Sequence, residues 1–301
     1  MTTVTGSAAV AQSRFQAAPT RSVADASRLA LWALILRDLT VLRKNLFEFL
    51  ARTLIQPFLL CFVFLYVFPK IGQAIGGGGT GHSTAQRQAQ SDFATVLVAG
   101  VVGISVMFQG VQSVALVMSQ EFGFTREIED RVQAPCPVWL VAGAKVLSGT
   151  VQGLISAAIV LPMASVVHVR GVEPHLVLHW WVILTLVPLS AVTMASLGLL
   201  LGTSFEPRNI RLMFGFVVLP ITFLGGTYYQ WTRLAPVQVG GFHWLQTVVL
   251  LNPLIYVNEG MRAAFTNSPH MHLFVVYPVV TAFLVVFLAL GLRNFRRRVL
   301  A

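Results

Sequence analysis

The sequence predicts an all-α polytopic membrane protein. It should have six transmembrane helices, an N-terminal interfacial amphipathic helix, and re-entrant or interfacial helices between spans 5 and 6. Three observations carry that expectation. Hydrophobic residues fill 55% of the 301 positions and charged residues only 11%, with a mean hydropathy of +0.74, a balance foreign to soluble domains. Apolar runs near 50–68, 93–118, 138–167, 176–203, 212–229 and 273–292 approach or exceed the roughly 20 residues that a helix needs to cross a bilayer. The basic residues are unevenly shared between the loops that alternate across those runs.

That unevenness predicts an orientation. With both termini on one side, sixteen of the 21 Lys and Arg collect there, leaving Lys70, Arg87, Arg170, Arg233 and Arg262 for the other face. The expectation is a multi-pass protein of the plasma (inner) membrane with cytoplasmic N- and C-termini. The formal net charge of +10 follows from positive-inside topology and contact with anionic headgroups, and calls for no nucleic acid. Cys61 falls inside the first span and Cys136 in a cytoplasmic loop, so no disulfide between them is expected.

Residues 1–26 are rich in Ala, Thr and Ser and lack the apolar core of a signal peptide; they read as a disordered cytoplasmic tail. Residues 27–49 are apolar but broken by Arg37, Asp38, Arg43 and Lys44. Those charges fit an amphipathic helix in the interface, with Trp32 and the leucines towards lipid and the charges towards water or a partner. A plain extension of the first span is the other reading. Residues 50–301 form the six-helix domain. Its first external loop holds GGGGTGHS at 76–83, which nearly matches a phosphate-binding loop. His82 stands where that motif requires Lys, so the segment reads as a linker and the chain carries no nucleotide-binding loop.

Between the second and third spans lies EFGFTREIEDRVQAPCPVWLVAGAK, 121–145. Five charges at Arg126, Glu127, Glu129, Asp130 and Arg131 cannot sit in hydrocarbon, so this loop must protrude into water. Glu121, Phe122 and Phe124 lead into it, and Pro135 and Pro137 fix the turn back. The loop is either a docking surface or simply solvated.

Within the spans, Gly149-x3-Gly153 and Gly198-x3-Gly202 would let helix backbones approach closely. Gln109, Gln112 and Gln152 are too polar to face lipid. They either bond between helices or, with Phe108 and Phe223, line a substrate path. Pro220 and Gly225–Gly226 should interrupt or end the fifth span. The following LAPVQVGGFHWLQTVVLLNPLIYVNEGMRAAF is moderately apolar and broken by Pro236, Gly240, Gly241 and Pro253, the pattern of re-entrant helices. In it Glu259 and Arg262, at i and i+3, read as a local pair at the outer boundary, with a substrate contact as the lesser alternative. The chain closes with RNFRRR, a basic stop against the inner leaflet.

Familiar catalytic equipment is missing. His175 and His179 have i, i+4 spacing with His168 nearby, but Leu176 stands where a zinc protease has Glu, so no metal site is expected. The spans hold no paired-carboxylate motif and no buried acid suited to a proton relay, and there is no Gly-x-Ser-x-Gly elbow. No catalytic residue is assigned, and any driving energy must come from elsewhere.

The interfacial helix, the six spans and the charged first cytoplasmic loop, together with the Pro/Gly-broken fifth span and NPLIYVNEGMR, resemble the permease subunit of ABC-2 type transporters over about residues 27–298. The most specific parts are REIEDRVQAPCPVWLVAGAKVL and Asn252-Pro253-Leu254 followed by Glu259 and Arg262. In look the chain is similar to daunorubicin-resistance-type drug exporters, although polysaccharide and glycolipid exporters share the layout. The resemblance implies a half-transporter with no cofactor of its own. Two permeases, a second copy or a related chain, would pair with two separate ATPase subunits that hold ATP and Mg. The ATPase-coupling surface would be Glu121, Phe122, Phe124, Arg126, Glu127, Glu129, Asp130 and Arg131. The implied activity is export of a small amphipathic or lipid substrate from the cytoplasm or inner leaflet, in contact with membrane lipids. Export of polysaccharide or lipid-linked glycan is one alternative, and an ion-coupled secondary carrier is one of another class.

Overall fold

A single helix, α3, runs through the middle of the molecule, and the other helices are arranged by how they pack against it. The computed structural model describes residues 23–71, 84–125, 137–168, 173–238, 241 and 243–300. In chain order the helices are α1 Val23–Lys44, α2 Leu46–Lys70, α3 Thr84–Gln120, α4 Val138–Val166, α5 Trp180–Ser204, α6 Pro207–Leu224, α7 Trp244–Val249, α8 Pro253–Phe265 and α9 Leu273–Leu300. Among the described residues there is no strand. Six of these helices are long and apolar enough to span a bilayer, namely α2 to α6 and α9. Spans alternate in direction, so α1, the C-terminal end of α3, the α5–α6 turn and the end of α9 share one end of the bundle. That end is called the terminal face here and the opposite end the distal face.

The spans depart from the apolar runs where other constraints act. Helix α5 begins at Trp180, because residues 173–179 are extended. The amides of Val177 and His179 donate at 2.9 Å to the carbonyls of Phe265 and Ala264, closing the last turn of α8, whose carbonyls have no intrahelical partner. His175 and His179 therefore do not share a helix face. Helix α6 ends at Leu224, before the 229 expected, because Gly225 and Gly226 turn the chain and Gly226 has φ +69°. Both α2 and α6 contain a π-helical stretch, at Phe62–Val67 and Phe214–Val218. Helix α1 starts at Val23, inside the segment read as tail.

Burial sets the layering. Helix α3 is buried over 94% of its most apolar stretch, against 22% for α2, 17% for α6 and 11% for α9. The latter three turn apolar side chains outward, including Phe58, Phe216, Phe223 and Phe274, as helices facing hydrocarbon or another chain must. Helices α3 and α5 run in the same direction and nearly touch. A Cβ on Gly198 would lie 2.9 Å from the Val111 carbonyl oxygen and 3.0 Å from that of Gly110. One on Gly202 would lie 2.9 Å from Ala115 Cα. Backbone atoms cannot step aside as a flexible side chain can, so this Gly-x3-Gly pair fixes the central contact.

Replacing Gly198 with Val should cost about 1–3 kcal/mol through overpacking, read as a lower unfolding temperature of the purified protein in detergent. Gly143→Ala, where an added Cβ meets no described atom within 4 Å, should leave that temperature unchanged or raise it.

Candidate functional site

At the terminal face, three helices meet on one buried lysine. Lys145 of α4 places Nζ 2.9 Å from Glu121 Oε1, where α3 runs on into a π turn, and 3.7 Å from Asp38 Oδ2 of α1. Arg37 Nε lies 3.6 Å from the other Asp38 oxygen. Lys145 and Glu121 are each only 7% exposed at the side chain. Burying a charge this deeply is costly unless an opposite charge faces it, and here the lysine and the carboxylate face each other. The sequence reading put Glu121 on a water-exposed loop and turned Asp38 towards water or a partner; the structure turns both inward to Lys145. Trp32 stays 61% exposed and Arg43 and Lys44 are exposed, so α1 has an apolar outer surface and one charge facing in.

The aromatic residue after Glu121 is also engaged. Phe122 packs edge-on against Phe295 of α9, with centroids 5.8 Å apart, and the Arg298 guanidinium lies 5.0 Å from its ring centroid. Arg298 also donates to the carbonyl oxygens of Gly202, Thr203 and Phe205 at 3.3, 3.3 and 2.9 Å, capping the end of α5. The basic tail thus closes a helix end as well as adding charge. Of the remaining coupling candidates, Arg126, Glu127, Glu129, Asp130 and Arg131 lie outside the described residues, as does the Phe124 side chain.

Deeper in the bundle the glutamines find one another. Thr53 Oγ1 donates to Gln109 Oε1 at 3.0 Å, and Gln109 Nε2 donates to Gln152 Oε1 at 3.0 Å. This thread ties α2, α3 and α4, and it occupies both polar atoms of a Gln109 that is 3% exposed. Gln112 and Phe108 border a void of about 20 Å³ with Arg52 and Ser105, room for about one water. Phe223 is exposed on α6 and apart from this group.

At the distal face, α8 is buried along its whole length. Asn252 caps it by accepting from Leu254 N at 2.9 Å while donating to the Ile221 carbonyl at 2.7 Å, the ordinary work of an Asn N-cap. Asn258 donates to Gly225 O at 2.7 Å and to Thr227 Oγ1 at 3.1 Å. Glu259 and Arg262 pair at 2.9 Å with side chains 1% and 0% exposed, so the pair is an enclosed one and not the exposed boundary pair the spacing suggested. Glu259 also accepts from Trp231 N at 2.8 Å and Met271 N at 2.9 Å, and Arg262 donates to the carbonyls of Gly226 and Tyr229. One ion pair thus holds the turn after α6, the 3₁₀ turn at Trp231–Leu234, and the connection into α9.

The same turns line a cleft of about 680 Å³ on the distal face, with the first turns of α3 and the extended segment before α5. Asp92, Phe93, His175, Tyr228, Gln230 and Arg233 give it its character. Phe64 of α2 packs behind it, 6.4 Å from the Phe93 ring and 5.4 Å from that of Tyr228. Burial holds the Tyr228 phenol above its ordinary pKa, so it stays a neutral hydroxyl. Sequence reasoning missed this cleft and the Lys145 joint, because both gather single residues from segments far apart in the chain.

Arg262→Met should destabilise the protein by about 3–5 kcal/mol by leaving Glu259 buried and unpaired. The double variant Glu259→Gln/Arg262→Met should recover part of that loss, and thermal unfolding in detergent measures both.

Comparison with known proteins follows the same architecture. The sequence profile of the family described as ABC-2 type transporter matches residues 29–266, from α1 to the end of α8. The chain is 30% identical over 241 residues to the inner membrane transport permease YadH of Escherichia coli K12, covering 78% of this chain and 84% of that protein. The Shigella flexneri protein of the same name matches with the same identity and coverage. With six spans, a buried NPL-led helix and a family match across most of its length, the chain belongs to the ABC-2 type transporter family.

Proposed function

We propose that this chain is the permease subunit of an ATP-driven exporter of amphipathic or lipid molecules, with its terminal face in the cytoplasm. Two separate ATPase subunits would dock on the charged loop at 126–136, and a second permease, identical or related, would complete the transporter. The observation that carries the reading is the Asp38–Lys145–Glu121 joint at the root of that loop, in a chain whose family is one of transporters. A push on the loop reaches α3 directly through Glu121. Through Lys145 the same push reaches α4 and α1, so three helices would move together. Buried charge pairs resist being pulled apart, since separation leaves a bare charge in low dielectric. The outward apolar faces of α2, α6 and α9 suit a cargo that travels along lipid, and the basic residues at the terminal face suit the positive-inside rule.

Three experiments test this. In proteoliposomes with the cognate ATPase, Glu127→Lys/Glu129→Lys should abolish cargo-stimulated ATP turnover while the permease still inserts; wild-type stimulation would sink the docking assignment. Lys145→Met should keep the ATPase bound on copurification yet lower stimulated turnover roughly tenfold or more, the effect of losing charge-assisted hydrogen bonds of about 1.5–3 kcal/mol. Lys145→Arg should restore most of it. Thiol labelling of a cysteine placed at Arg43 from outside intact cells would contradict the orientation.

A further inference from the structure

The distal cleft holds polar groups that the fold does not use. Gln230 is only 7% exposed, lines the cleft, and its side-chain amide makes no hydrogen bond to any described residue. Open to the cleft and used by no other side chain, the amide is free to meet a ligand that enters. The Tyr228 hydroxyl and the Arg233 guanidinium line the same cleft and also lack a partner among the described residues. Asp92 receives a single hydrogen bond, from Gln88 Nε2 at 3.2 Å. Ser91 donates to the Glu173 carbonyl, so His175 Nδ1 at 2.9 Å must be the donor to Ser91. His175 is thereby fixed in place as part of the wall.

The free groups divide by chemistry. The Arg233 guanidinium, the Gln230 amide and the Tyr228 hydroxyl are donors suited to phosphate oxygens. The Asp92 carboxylate and the faces of Phe93 and Tyr228 suit a cation. One full charge of each sign lines the cleft besides His175, so a ligand with a single net charge would oppose one of them, whereas a zwitterion satisfies both. The volume of about 680 Å³ lies in the range of ligand pockets, ~300–1,000 Å³. The level in the membrane fits as well: Trp180 and Trp181, five and six residues beyond His175, are 63% and 85% exposed, and such tryptophans mark the headgroup zone.

We propose that the distal cleft binds a zwitterionic phosphoethanolamine-type head, with the phosphodiester on Arg233, Gln230 and Tyr228 and the ammonium on Asp92. The head is that of a membrane phospholipid or the same group free in water. This site needs no ATPase, so it is tested on the permease alone, and its failure leaves the transport reading untouched.

The test is native mass spectrometry of the detergent-purified chain with phosphatidylethanolamine and phosphatidylglycerol of identical acyl chains. Wild type should retain the ethanolamine lipid about tenfold better, a difference of about 1.4 kcal/mol. Arg233→Gln should lower retention of both lipids about tenfold, and Asp92→Asn should erase the preference between them. Both replaced residues are exposed, so the variants should keep the wild-type circular dichroism and unfolding temperature. Displacement of bound lipid by soluble glycerophosphoethanolamine would assign the water-borne source, and retention against it the lipid. Equal retention of the two lipids by wild type, or unchanged retention in both variants, would overturn the proposal.

Discussion

Backbone outside a helix can be shut away from water only where protein satisfies it, and here the Glu259–Arg262 pair does that work. Between α6 and α9 the chain abandons helix repeatedly, at 225–230, 235–238 and 266–272. Exposed to hydrocarbon, those carbonyls and amides would each cost several kcal/mol. Arg262 takes the carbonyls of Gly226 and Tyr229, Glu259 takes the amides of Trp231 and Met271, and Asn252 and Asn258 bond the carbonyls of Ile221 and Gly225. Helix α8 can therefore lie buried against α3 and still hold irregular chain around it.

The second constraint is close approach. Helix α3 is enclosed by α2, α4, α5 and α8, and glycines are what permit its contact with α5 at Gly198 and Gly202. On the α8 side a Cβ at Gly103 would collide with the Asn258 side chain. The central helix thus runs in close contact from one face to the other. Its distal end lines the cleft, its middle carries Gln109 and its terminal end presents Glu121. Between the two polar ends it offers Leu97, Val101 and Ile104, each at most 1% exposed.

The joint at Lys145 and the bracket at Arg262 are alike in kind and opposite in place. Each uses one buried cation to gather segments distant in sequence, and each is buried deeply enough that removing the cation strands a carboxylate.

Much of this was legible in the sequence. The six spans followed from hydropathy and length, because bilayer thickness fixes helix length. The glycine spacings told where backbones could meet, and Glu259 and Arg262 declared themselves one helical turn apart. What the sequence could not give was the setting of each polar residue. Glu121 and Asp38 looked water-facing because charge in a loop or an interfacial helix is usually solvated. Their inward turn depends on Lys145, more than twenty residues beyond one and a hundred beyond the other. Gln109 and Gln152 looked equally suited to a path or a bond until the tertiary structure put them within hydrogen-bond distance of each other. The distal cleft draws on four separate stretches of chain, and only packing against α3 brings them together. Local periodicity determined the helices; the partner of every buried charge was decided by three-dimensional contact, because electrostatic satisfaction at low dielectric depends on distances between atoms and not on order along the chain.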